Sequence, residues 1–113
     1  MNQGEIWRIS LDPTIGAEIN KSRPAIIIST NVLGKLPLKI IAPITDWKEQ
    51  FCNYPWMVKI TPTKQNCLIK VSAIDCFQVR SVSVERFAEL VGSAAPEIIT
   101  QIQEAVVKVI GSV

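Results

Sequence analysis

The chain has 113 residues, 48% of them hydrophobic and 19% charged, with a formal net charge of +2. That length predicts one domain, and so small a charge permits contact with phosphates without demanding it. There is no histidine, which excludes every mechanism that uses imidazole as general base or metal ligand.

Three cysteines, Cys52, Cys67 and Cys76, include no C-x-x-C pair. Neither a disulfide framework nor a zinc site is expected, and the plain reading is small hydrophobes in a reducing cytoplasm. The hydrophobic excess reads either as a membrane segment or as an apolar face covered by a partner. Apolar runs such as "AIII" (25–28) fall far short of the roughly 20 residues a span needs. The start "MNQGEIWR" lacks the basic flank and apolar core of a signal peptide. A homodimer and no membrane are therefore expected.

In chain order, "EIWRISL" alternates, with Trp7, Ile9 and Leu11 on one face and Arg8 and Ser10 on the other. "DPTIGAEINKS" carries Asp-Pro, Gly and Asn and predicts a long loop. "RPAIIIS" is apolar on both faces, the mark of a central strand, with Pro24 at its first position, where a missing N–H is tolerated. "LKIIAPIT" predicts a strand ending at Thr45, "DWKEQFCNY" a loop, and "PWMVKIT" an alternating strand. "LIKVSAIDCFQVRSV" supplies one bent strand or two short ones, and "VERFAEL" a helical turn or a turn plus an edge strand. From Pro96 the period changes to that of a helix, with Ile98, Ile102, Ala105, Val106 and Val109 on one stripe, Glu97 at its start, Lys108 at its end and Gly111 closing it. The sum is mainly β with one C-terminal helix: short, mostly antiparallel strands bent into a small barrel.

Chemistry has few carriers. Arg23 is either a strand-flanking cation paired with Glu18 or Asp12, or a phosphate clamp, since a guanidinium grips phosphate with two parallel N–H bonds and keeps its charge near neutral pH. Thr45 either makes a local turn with Asp46 or points its hydroxyl at the same phosphate. Trp47 belongs either to the core or to a base-stacking surface. Gln78 and Arg80, two apart on a strand, face the same way, towards solvent or towards a ligand.

The order of these stretches carries more than any one of them. "GEIWRISLDPTIGAE", "SRPAIIIST", "APIT" and "FQVRSV", in that register along essentially the whole chain, resemble the PemK/MazF family of toxin endoribonucleases. The resemblance implies an SH3-like barrel of the PemK/MazF/CcdB type, a homodimer, and cleavage of single-stranded RNA at a short sequence with no metal or other cofactor. It implies an antitoxin whose acidic C-terminal segment fills the RNA groove. The family's catalytic arginine falls on Arg23, its catalytic threonine on Thr45 and its motif glutamate on Glu18. Its RNA-contacting glutamine and arginine fall on Gln78 and Arg80, to which Asn20 and Trp47 are added as RNA-binding candidates. Phe77 stands where many relatives carry an acidic residue, with Asp75 two positions upstream, on the same face of a regular strand, as a candidate substitute, and "INKS" lacks the usual glycines.

RNA brings its own nucleophile, the 2′-OH, so a metal-free ribonuclease needs alignment, a base and charge stabilisation. Arg23 suits the charge-stabilising role, Thr45 can hold a non-bridging oxygen, and Glu18 is the candidate base. A 2′,3′-cyclic phosphate and a 5′-hydroxyl are the expected ends. The rivals are a non-catalytic toxin or interaction module on the same scaffold, either a gyrase-poison-like binder or a decayed toxin that binds only its antitoxin.

Overall fold

The computed structural model describes residues 1–111. Seven strands precede one helix: β1 (Glu5–Ser10), β2 (Ser22–Ile27), β3 (Leu38–Asp46), β4 (Met57–Ile60), β5 (Ser72–Asp75), β6 (Arg80–Ser83), β7 (Phe87–Ser93) and α1 (Pro96–Ile110). The strand pairings among the described residues are antiparallel, in the order β4-β5-β3-β2-β1-β7, with β6 joined to β3 beside that path.

The apolar run in β2 explains its place. Ala25 and Ile27 pack with Ile9, Leu11, Ile41 and Val82 in one buried cluster, while Ile26 packs with Ile6, Ala42, Ile44, Ile74 and Ile102 in the other. A strand buried on both faces must read as continuously hydrophobic, and this one does. β2 starts two residues before Pro24, which stands opposite Arg8 inside the strand rather than at its first position. Its ladder with β3 begins only at Ala25↔Pro43, one residue after the ring that lacks a donor.

β3 is the hub. It pairs with β6 through Leu38–Ile41, with β2 through Ile41–Pro43 and with β5 through Ile44–Asp46. "LIKVSAIDCFQVRSV" therefore forms two short strands on one neighbour. Ile74 lies opposite Ile44 and Arg80 opposite Ile41, so six steps on one side face three on the other. The excess is looped out between the strands, in the segment holding Phe77 and Gln78. "VERFAEL" becomes a 3₁₀ turn, Val84–Arg86, followed by the edge strand β7.

The barrel expected from the sequence does not close as a ladder: β4 and β7 are the two ends of the path. A loop spans the gap. The Ser93 N–H donates to the Gln65 carbonyl at 3.0 Å, and the Gly92 backbone runs so close that a β-carbon there would stand 2.6 Å from the carbonyl oxygens of Gln65 and Asn66. Buried Asn66 stiffens this loop, accepting from the N–H groups of Thr63 and Leu68 and donating to the Thr61 carbonyl. α1 lays Ile98, Ile102, Ala105 and Val106 on the first core cluster; Pro96 opens it and Gly111, at φ 80°, ends it. Among the described residues no helix is long and apolar enough to cross a membrane.

Candidate active site

Arg23 and Thr45 come from adjacent strands. The β2–β3 ladder stops at Ala25↔Pro43, two residues short of each, and both line a hollow of about 320 Å³. Four cations line it, Arg8, Lys21, Arg23 and Lys70, against one carboxylate, Asp46, which pairs with Lys70 at 3.0 Å. The Arg23 Nε donates to the Asn20 carbonyl at 2.9 Å, which steadies the guanidinium stem. Neither carboxylate offered as its partner takes it. Glu18 Oε1 accepts from the Ile15 N–H at 2.6 Å and Asp12 Oδ1 from the Lys21 N–H at 3.1 Å; among the described residues Arg23 forms no ion pair.

Gln78, Arg80 and Glu18 gather in a second hollow, of about 550 Å³, together with Leu11, Pro43 and Phe77. The two hollows are consecutive along β3, Pro43 lining one and Ile44–Asp46 the other. They are also consecutive along the 11–21 loop, with Ala17–Ile19 in one and Lys21 in the other. Side chains hold that loop in place. Gln78 accepts from the Ile19 N–H at 2.6 Å and donates to the Ala17 carbonyl at 3.4 Å. Arg80 donates to the Leu11 carbonyl at 3.1 Å, and Arg86 donates to the carbonyls of Ser10 and Asp12 at 3.2 and 2.6 Å.

Asp75 ends β5 and does not share a face with Phe77. The carboxylate is buried and its Oδ1 accepts from the N–H groups of Phe77 and Gln78 at 3.0 and 3.3 Å, while Phe77 is 62% exposed. Burial raises the Asp75 pKa, and those two donors pull against it. Asp75 thus holds the looped-out segment from beneath and offers no open acid in place of Phe77. Burial, with the Asp75 charge adding to it, pushes the neighbouring Cys76 thiol up to about 12, leaving an unreactive core residue.

Two candidates lie outside both linings. Asn20 lends its carbonyl to Arg23. Trp47 is half-buried, its indole N–H shielded and without a partner, its ring 5.8 Å from that of Phe51 and 5.0 Å from the Lys59 ammonium. Sequence reading missed Arg8, Lys21 and Lys70. Arg8 was visible on the polar face of its strand, opposite Pro24, but Lys70 reaches the hollow only through tertiary folding.

A cation and a hydroxyl that line one hollow whose charge is mostly positive suit a phosphodiester. Residues 2–110 match the family described as PemK-like, MazF-like toxin of type II toxin-antitoxin system. The chain belongs to this family. Its sequence is 28% identical over 111 residues to the endoribonuclease MazF9 of Mycobacterium tuberculosis, a match covering 93% of this chain and 92% of that protein. Its fold is similar to the crystal structure of MazF from Deinococcus radiodurans, with TM-score 0.82 and 20% identity over 99% of this chain and 97% of the other. It is also similar to an endoribonuclease in complex with its cognate antitoxin from a mycobacterial species, with TM-score 0.76 and 15% identity over 98% and 95% of the two chains. Membership in the PemK/MazF family agrees with the order of motifs along the sequence and with the antiparallel sheet closed off by α1.

Proposed function

We propose that this chain is the toxin of a type II toxin–antitoxin pair and acts as a metal-independent endoribonuclease on single-stranded RNA, cutting at a short sequence and so stopping translation and growth. The observation that carries this reading is that Arg23 and Thr45 line one hollow whose charged residues are four cations and one carboxylate, with no acidic side chain paired to Arg23 among the described residues.

The substrate's 2′-OH gives up its proton and attacks the adjacent phosphorus, the P–O5′ bond breaks, the departing O5′ takes a proton from water, and a 2′,3′-cyclic phosphate and a 5′-hydroxyl result. Arg23 neutralises the charge that builds on the phosphoryl oxygens, the kind of preorganised electrostatic aid that outweighs most other catalytic terms. Thr45 donates its O–H to a non-bridging oxygen. Glu18 is the proposed base, and takes the 2′ proton by exchanging its bond to the Ile15 N–H for one to the substrate; Glu18→Gln retaining full activity would remove it from that role. DNA, which lacks the 2′-OH, is left intact. Gln78, Arg80, Asn20 and Trp47 are proposed to contribute to RNA binding, the last two from outside the hollows.

The protein is placed in the cytoplasm as a homodimer. Exposed Val32, Leu33, Leu36, Leu38 and Ile40 supply apolar surface for a second copy, which sedimentation of the pure protein tests. An antitoxin with an acidic segment complements the cationic hollow.

The deciding experiment is cleavage of a long single-stranded RNA in EDTA by the wild type and by Arg23→Ala. Cuts at one recurring sequence that vanish in the variant are expected. A folded, antitoxin-free wild type that cuts nothing would overturn the reading and leave a binding-only toxin.

A further inference from the structure

We propose that the exposed ring of Phe77 is a stacking platform for one unpaired nucleobase of the substrate strand, set beside the cationic hollow. The inference rests on the RNA-cleaving reading and adds to it a contact that sets sequence preference. Phe77 is 62% exposed at the rim of the hollow that holds Gln78, Arg80 and Glu18. A lone surface aromatic would call for no explanation, but this one is fixed at both ends. Its backbone N–H donates to the buried Asp75 carboxylate at 3.0 Å. Its ring meets Trp56 edge to face, with centroids 5.6 Å apart and planes at 69°.

Trp56 is itself held. It packs on the first core cluster and stacks on Tyr54, centroids 5.0 Å apart and planes at 5°. Tyr54 leans on Phe51 at 6.0 Å, and Phe51 meets Trp47 at 5.8 Å. Phe77 is thus the most exposed ring of a run of five, and the run begins at half-buried Trp47. A ring immobilised before binding loses little entropy when a ligand settles on it.

The surroundings select the ligand. Arg80 lines the same hollow, and the adjacent one carries four cations. An aromatic face next to phosphate-binding cations is the arrangement by which proteins hold single-stranded nucleic acid, each base offering a π-face to the ring and each phosphate a charge to the groove. An uncharged apolar peptide would use the ring but not the cations, whereas each nucleotide supplies both a π-face and a charge.

The test compares wild type with Phe77→Ala, Phe77→Leu and Phe77→Tyr on a mapped RNA cut site, with thermal melts to confirm folding. By analogy with measured base–aromatic stacking, Phe77→Ala is expected to lower kcat/KM roughly 5- to 100-fold, mainly through KM. Phe77→Tyr should stay near wild type and Phe77→Leu should fall with the alanine variant. One abasic substitution flanking the cut should cost the wild type as much as Phe77→Ala does, and should cost the variant little more.

Full activity of Phe77→Ala, full activity of Phe77→Leu, or the absence of any such coupled position would each overturn the platform while leaving the ribonuclease reading intact. If the wild type cuts no RNA, the ribonuclease reading fails separately. Equal affinity of wild type and Phe77→Ala for an unstructured, uncleavable 2′-O-methyl oligonucleotide then overturns the platform as well. Weakened binding of an acidic, apolar-rich peptide by Phe77→Ala, with RNA unaffected, would give the ring to a protein partner and also overturn it.

Discussion

The two hollows are built differently. Arg23 and Thr45 are both mounted on strands, Arg23 paired to Ile9 of β1 and Thr45 to Ala73 of β5, and these ladders fix them in one hollow. The Gln78 hollow is walled by an irregular loop that stays in place because Gln78, Arg80 and Arg86 reach its backbone and Asp75 holds the segment opposite. A group that must face a developing charge gains from the stiffer mounting. A group that must fit a base tolerates the softer one, where side-chain bonds to backbone can exchange for bonds to a ligand.

The largest effect should come from the stiff side. Arg23→Ala is expected to lower kcat about 10²- to 10³-fold with an unchanged melting curve, measured by single-turnover cleavage. A loss of activity that tracks a loss of fold would break the contrast.

Next comes Asp75, under the soft side. Asp75→Ala leaves the N–H groups of Phe77 and Gln78 without their acceptor and should cost about 1–3 kcal/mol, read from urea unfolding. The pH dependence has a definite sign. Burial lifts the folded pKa above the ordinary 3.8, so the folded chain holds this proton more tightly than the unfolded one. The resulting stabilisation is full below pH 3.8 and is lost as pH rises through the folded value. Melting of Asp75→Asn across the acid range should lack that component; an identical pH slope in both proteins would refute the assignment.

Gln78→Ala should cost about 1 kcal/mol, raise KM several-fold and, because its bonds flank the proposed base Glu18 at Ala17 and Ile19, lower kcat as well. Faster hydrogen exchange at the Ile19 amide, which donates to Gln78, would show the loop released. The smallest effect sharpens the stiff side. Asp46 is the one carboxylate lining the Arg23 hollow and its ion pair with Lys70 is exposed, so Asp46→Ala should tighten RNA binding only about 2- to 3-fold at low salt, and not at all once salt screens the hollow.

Much of the stiff side was legible. A strand apolar on both faces has to lie between two cores, and "RPAIIIS" followed by "APIT" places Arg23 near Thr45 once the strands pair. The soft side was legible only as residue identities. Strict alternation put Asp75 and Phe77 on one face, yet β5 stops at Asp75 and the carboxylate turns inward to satisfy two amides. Trp47 read equally as core or as stacking surface. The 3₁₀ turn Glu49–Asn53 brings Phe51 against it, which no local pattern announces. The barrel's missing seam could not be read either, because the Gly92 contact joins residues far apart in the chain.

The segment between β5 and β6 leaves β3 and returns to it. Its exposed position, Phe77, can therefore be exchanged with the ladders on either side undisturbed, whereas Cys76 is buried in the first core cluster, Val79 packs against it and Gln78 holds the facing loop. It works as a socket: a lineage could retarget its toxin to another RNA word by rewriting the single rim position Phe77, while keeping Arg23, Thr45 and Glu18 unaltered.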